Sequence, residues 1–360
     1  MITLEELFNR RSNKRHDLKK YLPKNLPYLI HVAGTNGKGS VCSYLESVLM
    51  QKYRVGKFSS PHLLNVEERI TINQEQIPHE ILLNEYEKLK NLDLGFFEFL
   101  FIIAMNYFST QNVDIAIIEV GIGGRFDCTN QIQYDIALIT NVGMDHTEIL
   151  GNSLYSISYQ KAGIAKNNTK AFYTDLILKK YIENETNNSK FVKEITKFKL
   201  PLFGDFQRKN FALAYEVFKI FKFSDAQIQN GLKNLKIMGR QQLINENTLI
   251  DVSHNVDSIK GLIQTLDNMK IGKNIKIHLS CLMDKDLKSI YRLFINKNYD
   301  VTIYPMPNIK RGRSVENIIE TLGENVKIAT TFSNDNRYFN IYCGSFYFIQ
   351  KVLIYLNKKA

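Results

Sequence analysis

Residues 28–50 read YLIHVAGTNGKGSVCSYLESVLM. Leu29, Ile30 and Val32 make a short apolar, β-branched run, the pattern of a buried strand. Gly34-Thr35-Asn36-Gly37-Lys38-Gly39-Ser40 follows as a tight loop, and Val41, Leu45, Val48 and Leu49 then recur at the spacing of one apolar helix face. Strand, glycine loop and helix together cradle phosphate. Glycines let backbone N–H groups approach the oxygens, the helix start carries partial positive charge, and Lys38 adds a full one. Lys38 is therefore expected to face solvent. The loop departs from GxxxxGK[ST], because Gly39 separates Lys38 from the hydroxyl of Ser40. The simpler alternative, a glycine turn in a plain βα unit, leaves the lysine without a purpose.

Downstream, residues 55–58 read as a strand that must end at Ser59-Ser60-Pro61, since Pro61 biases Ser60 away from helix. Residues 67–72 predict another strand, and Glu98 opens an apolar helix over 99–108. Residues 115–120 (IAIIEV) form a continuous apolar run, hence a strand buried on both faces. It carries Glu119 just before three glycines, and a carboxylate there must be paired or cation-bound to offset its desolvation. Residues 136–140 repeat the pattern and lead through Asn141 to His146. Three predicted strand ends thus offer Ser60, Glu119 and His146 to one sheet edge, where ligands gather in open α/β folds. Oxygen donors with one imidazole suit Mg²⁺ or Mn²⁺ held together with nucleotide phosphates. Singly they say less: Ser60 is equally a turn residue, and Lys161 passes for an exposed lysine.

Residues 167–200 are polar and weakly patterned, an excursion with short strands. The pattern restarts near Met238-Gly239-Arg240. Two α/β domains are expected: residues 1–237, a P-loop-type nucleotide-binding domain with a central, mostly parallel sheet, and residues 238–360, a smaller Rossmann-like domain. Its strands are predicted at 249–252, 275–279, 301–304, 326–329 and 341–342, the first ending in Asp251-Val252-Ser253-His254-Asn255.

Bulk properties exclude several classes. The 360 residues are 44% hydrophobic and 23% charged, a globular composition. The start shows no apolar signal region, and the greasiest segment is too short to span a bilayer, so neither export nor membrane insertion is expected. Cys42, Cys128, Cys281 and Cys343 lie far apart with no CxxC pair, which suits a reducing cytoplasm and argues against zinc. The net charge of +11 fits small polyanionic substrates or simply a lysine-rich composition, and the scattered lysines match no nucleic-acid module.

Taken together, several motifs resemble one family, the folylpolyglutamate synthases and dihydrofolate synthases of the Mur ligase superfamily. They are HVAGTNGKGS (31–40), SSPHL (59–63), FFE (96–98), EVGIGGRFDCTN (119–130), ITNVGMDH (139–146), KAGI (161–164), Gly239-Arg240, DVSHN (251–255), DKD (284–286) and CGSF (343–346), in family order over nearly the whole chain. The resemblance implies that Thr35, Asn36, Gly37, Lys38, Gly39 and Ser40 hold ATP phosphates, with Asn210, Arg240, Asp251 and His254 as further nucleotide contacts. It implies Ser60, Glu119 and His146 as Mg²⁺ ligands and Lys161 as a carbamylated lysine; with Lys38 these last three form the catalytic set. Gly95, Phe96, Phe97 and Glu98, with Phe126, Asp127 and Cys128, match positions that line a pterin-bearing substrate. Gln160, Met238 and Val256 depart from the family's usual Glu, Pro and Pro.

The implied activity is a cytoplasmic, monomeric, ADP-forming ligase that joins L-glutamate to dihydropteroate or folates through an acyl phosphate, in folate biosynthesis. No nucleic acid or membrane partner is implied. Two alternatives remain at this stage: a Mur-type amide ligase acting on another carboxylate, and a nucleotide-binding regulator without catalysis.

Overall fold

The computed structural model describes residues 7–8, 10–12, 16–309 and 311–357. It is an α/β protein of two compact units, Met1–Pro201 with Arg208–Lys236, and Leu202–Gln207 with Ile237–Ala360.

The first unit is built on eight strands: β1 (Tyr28–Ala33), β2 (Val55–Phe58), β3 (Ile70–Ile72), β4 (Glu75–Gln76), β5 (Ile115–Glu119), β6 (Ile136–Ile139), β7 (Lys170–Tyr173) and β8 (Ser189–Phe191). Their order is β4-β3-β2-β5-β1-β6-β7-β8, parallel from β2 through β8, with β3 and β4 an antiparallel margin. The central strands are covered on both faces, which is why β1, β5 and β6 read as unbroken apolar runs. Helix α1 (Lys38–Leu49) follows β1 and is buried from Ser40 to Leu49. Helix α2 (Phe96–Thr110) packs its Phe99, Leu100, Ile103 and Phe108 into the larger apolar cluster of this unit. Helix α3 (Leu154–Ala162) ends beside a smaller cluster that holds Ala162, Ile164 and Ala171. Helix α4 (Phe206–Ile220) contributes to this unit from Arg208 onward.

A buried ion pair pins α1 to the sheet. Glu46 on α1 accepts from Lys57 Nζ of β2 at 2.5 Å, from Thr71 Oγ1 of β3 at 2.6 Å and from the Gln74 N–H at 2.9 Å. Three partners satisfy a carboxylate that is 1% exposed.

In the second unit β9 (Gln242–Asn245), β10 (Thr248–Asp251), β11 (Ile275–Leu279), β12 (Asp300–Ile303) and β13 (Phe339–Cys343) are ordered β12-β11-β13-β10-β9. All pairs are parallel except β9 with β10. Helices α5 (Val256–Asn268), α6 (Leu287–Ile295) and α7 (Phe346–Asn357) accompany them, and Ile259, Leu262, Ile290 and Phe294 join Leu249, Ile277 and Ile341 in its core. Asn255 caps α5 by accepting from the Ser258 N–H at 2.9 Å, which turns the chain sharply after β10.

Four local expectations are revised. Residues 67–72 are half strand: Val66–Arg69 is a 3₁₀ turn, because Glu68 folds back to accept from the N–H groups of Leu63, Leu64 and Asn65. Helix α2 starts at Phe96 rather than 99, since Glu98 accepts from the Gly95 N–H and so lies inside the first turn. The polar stretch 167–200 extends the main sheet in parallel through β7 and β8. Residues 326–329 pair with β12 only through the bridge between Ile303 and Ile328.

Candidate active site

Parallel pairing puts the carboxyl ends of β2, β5, β1 and β6 at one sheet edge: Val32 lies opposite Glu119, Ala33 opposite Ile139 and Phe58 opposite Ile118. The glycine loop leaves β1 in the middle of that row. A Cβ on Gly34 would overlap the Thr140 hydroxyl, so only glycine lets β1 pass so close to the end of β6. Thr35 N–H donates to Asn141 O at 3.0 Å, Asn36 N–H to Asn141 Oδ1 at 2.8 Å, and the Gly143 N–H to Thr35 Oγ1 at 2.9 Å. Gly37 caps α1 in a left-handed conformation, φ +90°. Lys38 does not project into solvent as expected. It is half-buried, and its Nζ donates to Gly34 O at 3.1 Å and Thr35 O at 3.4 Å, curling over its own loop.

Asn210, on α4, is 6% exposed and faces the same loop, as a Cβ on Gly37 would lie 2.8 Å from its Cγ. Glu119 is 2% exposed at the end of β5 and accepts from the Ser60 N–H at 3.3 Å, so two residues of the expected metal set meet. His146 stands beyond β6 in a left-handed backbone conformation, φ 51°, its N–H donating to Asp145 Oδ1 at 2.9 Å. Lys161, near the end of α3, is buried at 2% exposure, not at the surface. Burial, with the Lys38 cation nearby, pulls its ammonium down to about 7 against the opposing carboxylate of Asp145.

The segments expected to line an acceptor also converge. A Cβ on Gly121 would lie 2.7 Å from Phe97 Cε1 and 3.0 Å from Asp127 Oδ2. Phe97 packs on Phe58, Phe96 on Phe8, and Glu98 meets His16 Nδ1 at 3.1 Å. Phe126 is 56% exposed, whereas Cys128 is half-buried with its thiol pushed well above the ordinary range by burial. Asp127 accepts from the Ile122 and Thr129 N–H groups, both at 3.0 Å, and burial still raises its pKa.

In the second unit, the end of β10 forms a separate cluster. Asp251 accepts from Ser253 Oγ at 2.7 Å; burial raises its pKa, and the Arg240 cation opposes that rise. The Arg240 guanidinium stacks over Phe346 at 5.2 Å, and His254 holds Val252 O through Nδ1 at 2.9 Å.

Comparison with known proteins decides among the alternatives. Residues 32–245 match the model of the Mur ligase middle domain. The dihydrofolate synthase/folylpolyglutamate synthase of Buchnera aphidicola subsp. Acyrthosiphon pisum is 31% identical over 348 residues, 85% of this chain and 83% of that protein. The chain belongs to the dihydrofolate synthase/folylpolyglutamate synthase family. Among solved members, E. coli FolC in complex with DHPP and ADP superposes with a TM-score of 0.86 at 25% identity, covering 99% of this chain and 97% of that one. A bifunctional folylpolyglutamate synthase/dihydrofolate synthase with Mn, AMPPNP and L-glutamate bound gives 0.83 at 26% identity, covering 94% and 91%.

The residues of this synthase family member fit a divalent cation. A buried carboxylate with a neighbouring serine at one sheet edge, and the His146 imidazole beyond β6, are hard or borderline donors. Among the described residues no three His, Cys, Asp or Glu side chains are grouped to hold a metal. Thr140, Asn141, Gly143 and Asp145, which the motif over 139–146 contains without a role for any of them, brace the loop or face Lys161. The hydroxyl and amide directly after an apolar strand were the available signal.

Proposed function

We propose that this chain is an ATP-dependent acid–amino-acid ligase that adds L-glutamate to dihydropteroate and to folates, working as a cytoplasmic monomer. A single observation supports it most: the glycine loop, Ser60 and Glu119 stand at the carboxyl ends of neighbouring parallel strands. A carboxylate is a poor electrophile because oxide would have to leave. In the proposed reaction one oxygen of the acceptor carboxylate attacks the γ-phosphorus, the bond to the β–γ bridging oxygen breaks, and ADP departs. The glutamate amine then attacks the acyl carbonyl, loses a proton, and expels phosphate.

The residues serve this by positioning and neutralising anions rather than by supplying a nucleophile. N–H groups from Gly37 to Ser40 and the Lys38 ammonium receive the phosphates, Thr35 and Asn36 fix the loop's shape through their N–H bonds to Asn141, and Asn210 packs against the loop. Arg240, Asp251 and His254 of the second unit are its further proposed nucleotide contacts. Mg²⁺, or Mn²⁺ in its place, would be held by Ser60, Glu119 and His146 and would neutralise charge on the phosphates. Lys161, an amine of lowered pKa, carries a lone pair at neutral pH and can add CO₂ to become a carbamate, an anion beside Lys38. Gly95 to Glu98 and Phe126 to Cys128 receive the acceptor.

The test mixes protein, ATP, Mg²⁺, glutamate and dihydropteroate, following ADP and dihydrofolate. Acceptor-dependent ADP with dihydrofolate is expected. ADP formed without acceptor, or no product with any pterin acceptor, would count against the proposal.

A further inference from the structure

Behind the acceptor segment runs a buried relay. His31, on β1, is 0% exposed, and its Nε2 lies 2.9 Å from Thr129 Oγ1. The same hydroxyl lies 2.6 Å from Asp127 Oδ1. Thr129 has one hydroxyl proton to give. Asp127 accepts backbone N–H bonds on both oxygens, which favours its acceptor-only, ionised form. The hydroxyl therefore donates to Asp127 and must accept from His31, which sets the imidazole as the Nε2–H tautomer. Tyr134 stacks on His31 at 3.9 Å and 12°, and its own hydroxyl donates to Thr129 O at 2.7 Å. The ring, the threonine hydroxyl and the threonine carbonyl are each held from a different direction. Burial, helped by the Lys166 cation, keeps the imidazole neutral.

Asp127 Oδ1 is thus held by Thr129, while Oδ2, which accepts from the Ile122 N–H, sits beside Gly121 and Phe97. We propose that His31 and Thr129 are positioning residues for acceptor recognition, orienting the Asp127 carboxylate toward the bound acceptor. This rests on the reading of Asp127 as part of the acceptor site. Neither residue touches the nucleotide loop's phosphate-facing atoms in the proposed arrangement, so the effect falls on one substrate. A charge-assisted hydroxyl bond is among the stronger neutral-donor interactions, and its loss leaves the carboxylate held only by the Ile122 and Thr129 N–H groups, a looser orientation.

The experiment measures KM for dihydropteroate, ATP and glutamate, with kcat, for Asp127→Asn, Thr129→Val, Thr129→Ser, His31→Phe and His31→Gln. Thr129→Val and His31→Phe should raise the acceptor KM about tenfold while leaving the ATP KM and the saturated kcat within twofold. Serine keeps the hydroxyl and glutamine keeps a donor, so both should stay near wild type. If Asp127→Asn raises the acceptor KM but Thr129→Val and His31→Phe do not, the relay is overturned and the acceptor site stands. If Asp127→Asn leaves that KM unchanged, the site assignment fails first. Thermal unfolding of each variant separates misfolding from mispositioning; should Thr129→Val not fold, an unchanged acceptor KM in folded His31→Phe overturns the proposal.

Discussion

Asn210 occupies the space where a side chain on Gly37 would stand. A Cβ there would lie 2.8 Å from Asn210 Cγ, at a backbone φ of +90° that L-residues rarely adopt. Gly37→Ala therefore faces strain and a clash together. It should raise the ATP KM at least about tenfold and lower the unfolding midpoint by a few degrees, while circular dichroism keeps the wild-type spectrum. An alanine variant with normal ATP affinity would show that the loop does not need this contact.

Lys161 carries the second prediction. An amine with a pKa of about 7 is mostly ammonium at pH 6 and mostly free base at pH 8. Carbamate formation consumes the free base, so activation by bicarbonate should be strong at pH 8 and fade as pH drops below 7. Lys161→Ala should lose turnover by two orders of magnitude or more, about 3 kcal/mol in the barrier. A crystal structure or native intact-mass measurement under bicarbonate that finds an unmodified amine would remove the carbamate from the account.

The buried pair of Lys57 and Glu46 predicts a stability effect. Lys57→Met leaves a carboxylate, 1% exposed, without its cation and should cost about 3 kcal/mol. Replacing both members with apolar residues should recover part of that loss. Urea denaturation of the single and double variants measures it, and a double variant no better than the single would refute the pairing argument.

In the second unit His278 is buried between Tyr304 Oη at 2.8 Å and Asn340 Oδ1 at 3.0 Å, stacked on Tyr342 at 4.2 Å. Burial lowers its pKa to about 4 from the ordinary 6.5. Between those values the unfolded chain binds more protons than the folded one, so stability rises with pH across this window. The contribution is complete above pH 6.5 and is lost as pH falls toward 4, about 3 kcal/mol in all. His62 titrates in the same direction, also from about 4, so the comparison must be between wild type and His278→Gln. The variant should show a shallower pH dependence over pH 4 to 6.5; identical slopes would exclude His278 as a contributor.

Much of the nucleotide edge was legible because its signals are local. A β-branched run, a glycine loop and an amphipathic helix fit within residues 28–50, and β1, its loop and α1 lie there. Glu119 was readable for a similar reason: a charge at the end of an apolar strand has few cheap explanations. Lys161 was not. Its burial depends on packing at the end of α3 near Asp145 and Lys38, none of which its flanking sequence announces. The inward curl of Lys38 likewise depends on carbonyls of its own loop. The short strands expected within 167–200 did not announce their place in the main sheet, because β7 and β8 lie toward its margin, where alternation weakens and tertiary pairing decides. The His31–Thr129 relay needed the register of β1 against the turn after Asp127, a long-range fact.

The account's central claim is that the acceptor carboxylate is phosphorylated before glutamate attacks. Dihydropteroate labelled with ¹⁸O in its carboxylate should be turned over with ATP and glutamate, and the released phosphate examined by mass spectrometry. The account predicts one ¹⁸O per phosphate, matching dihydrofolate formed mole for mole. Phosphate without the label, at normal product yield, would contradict it.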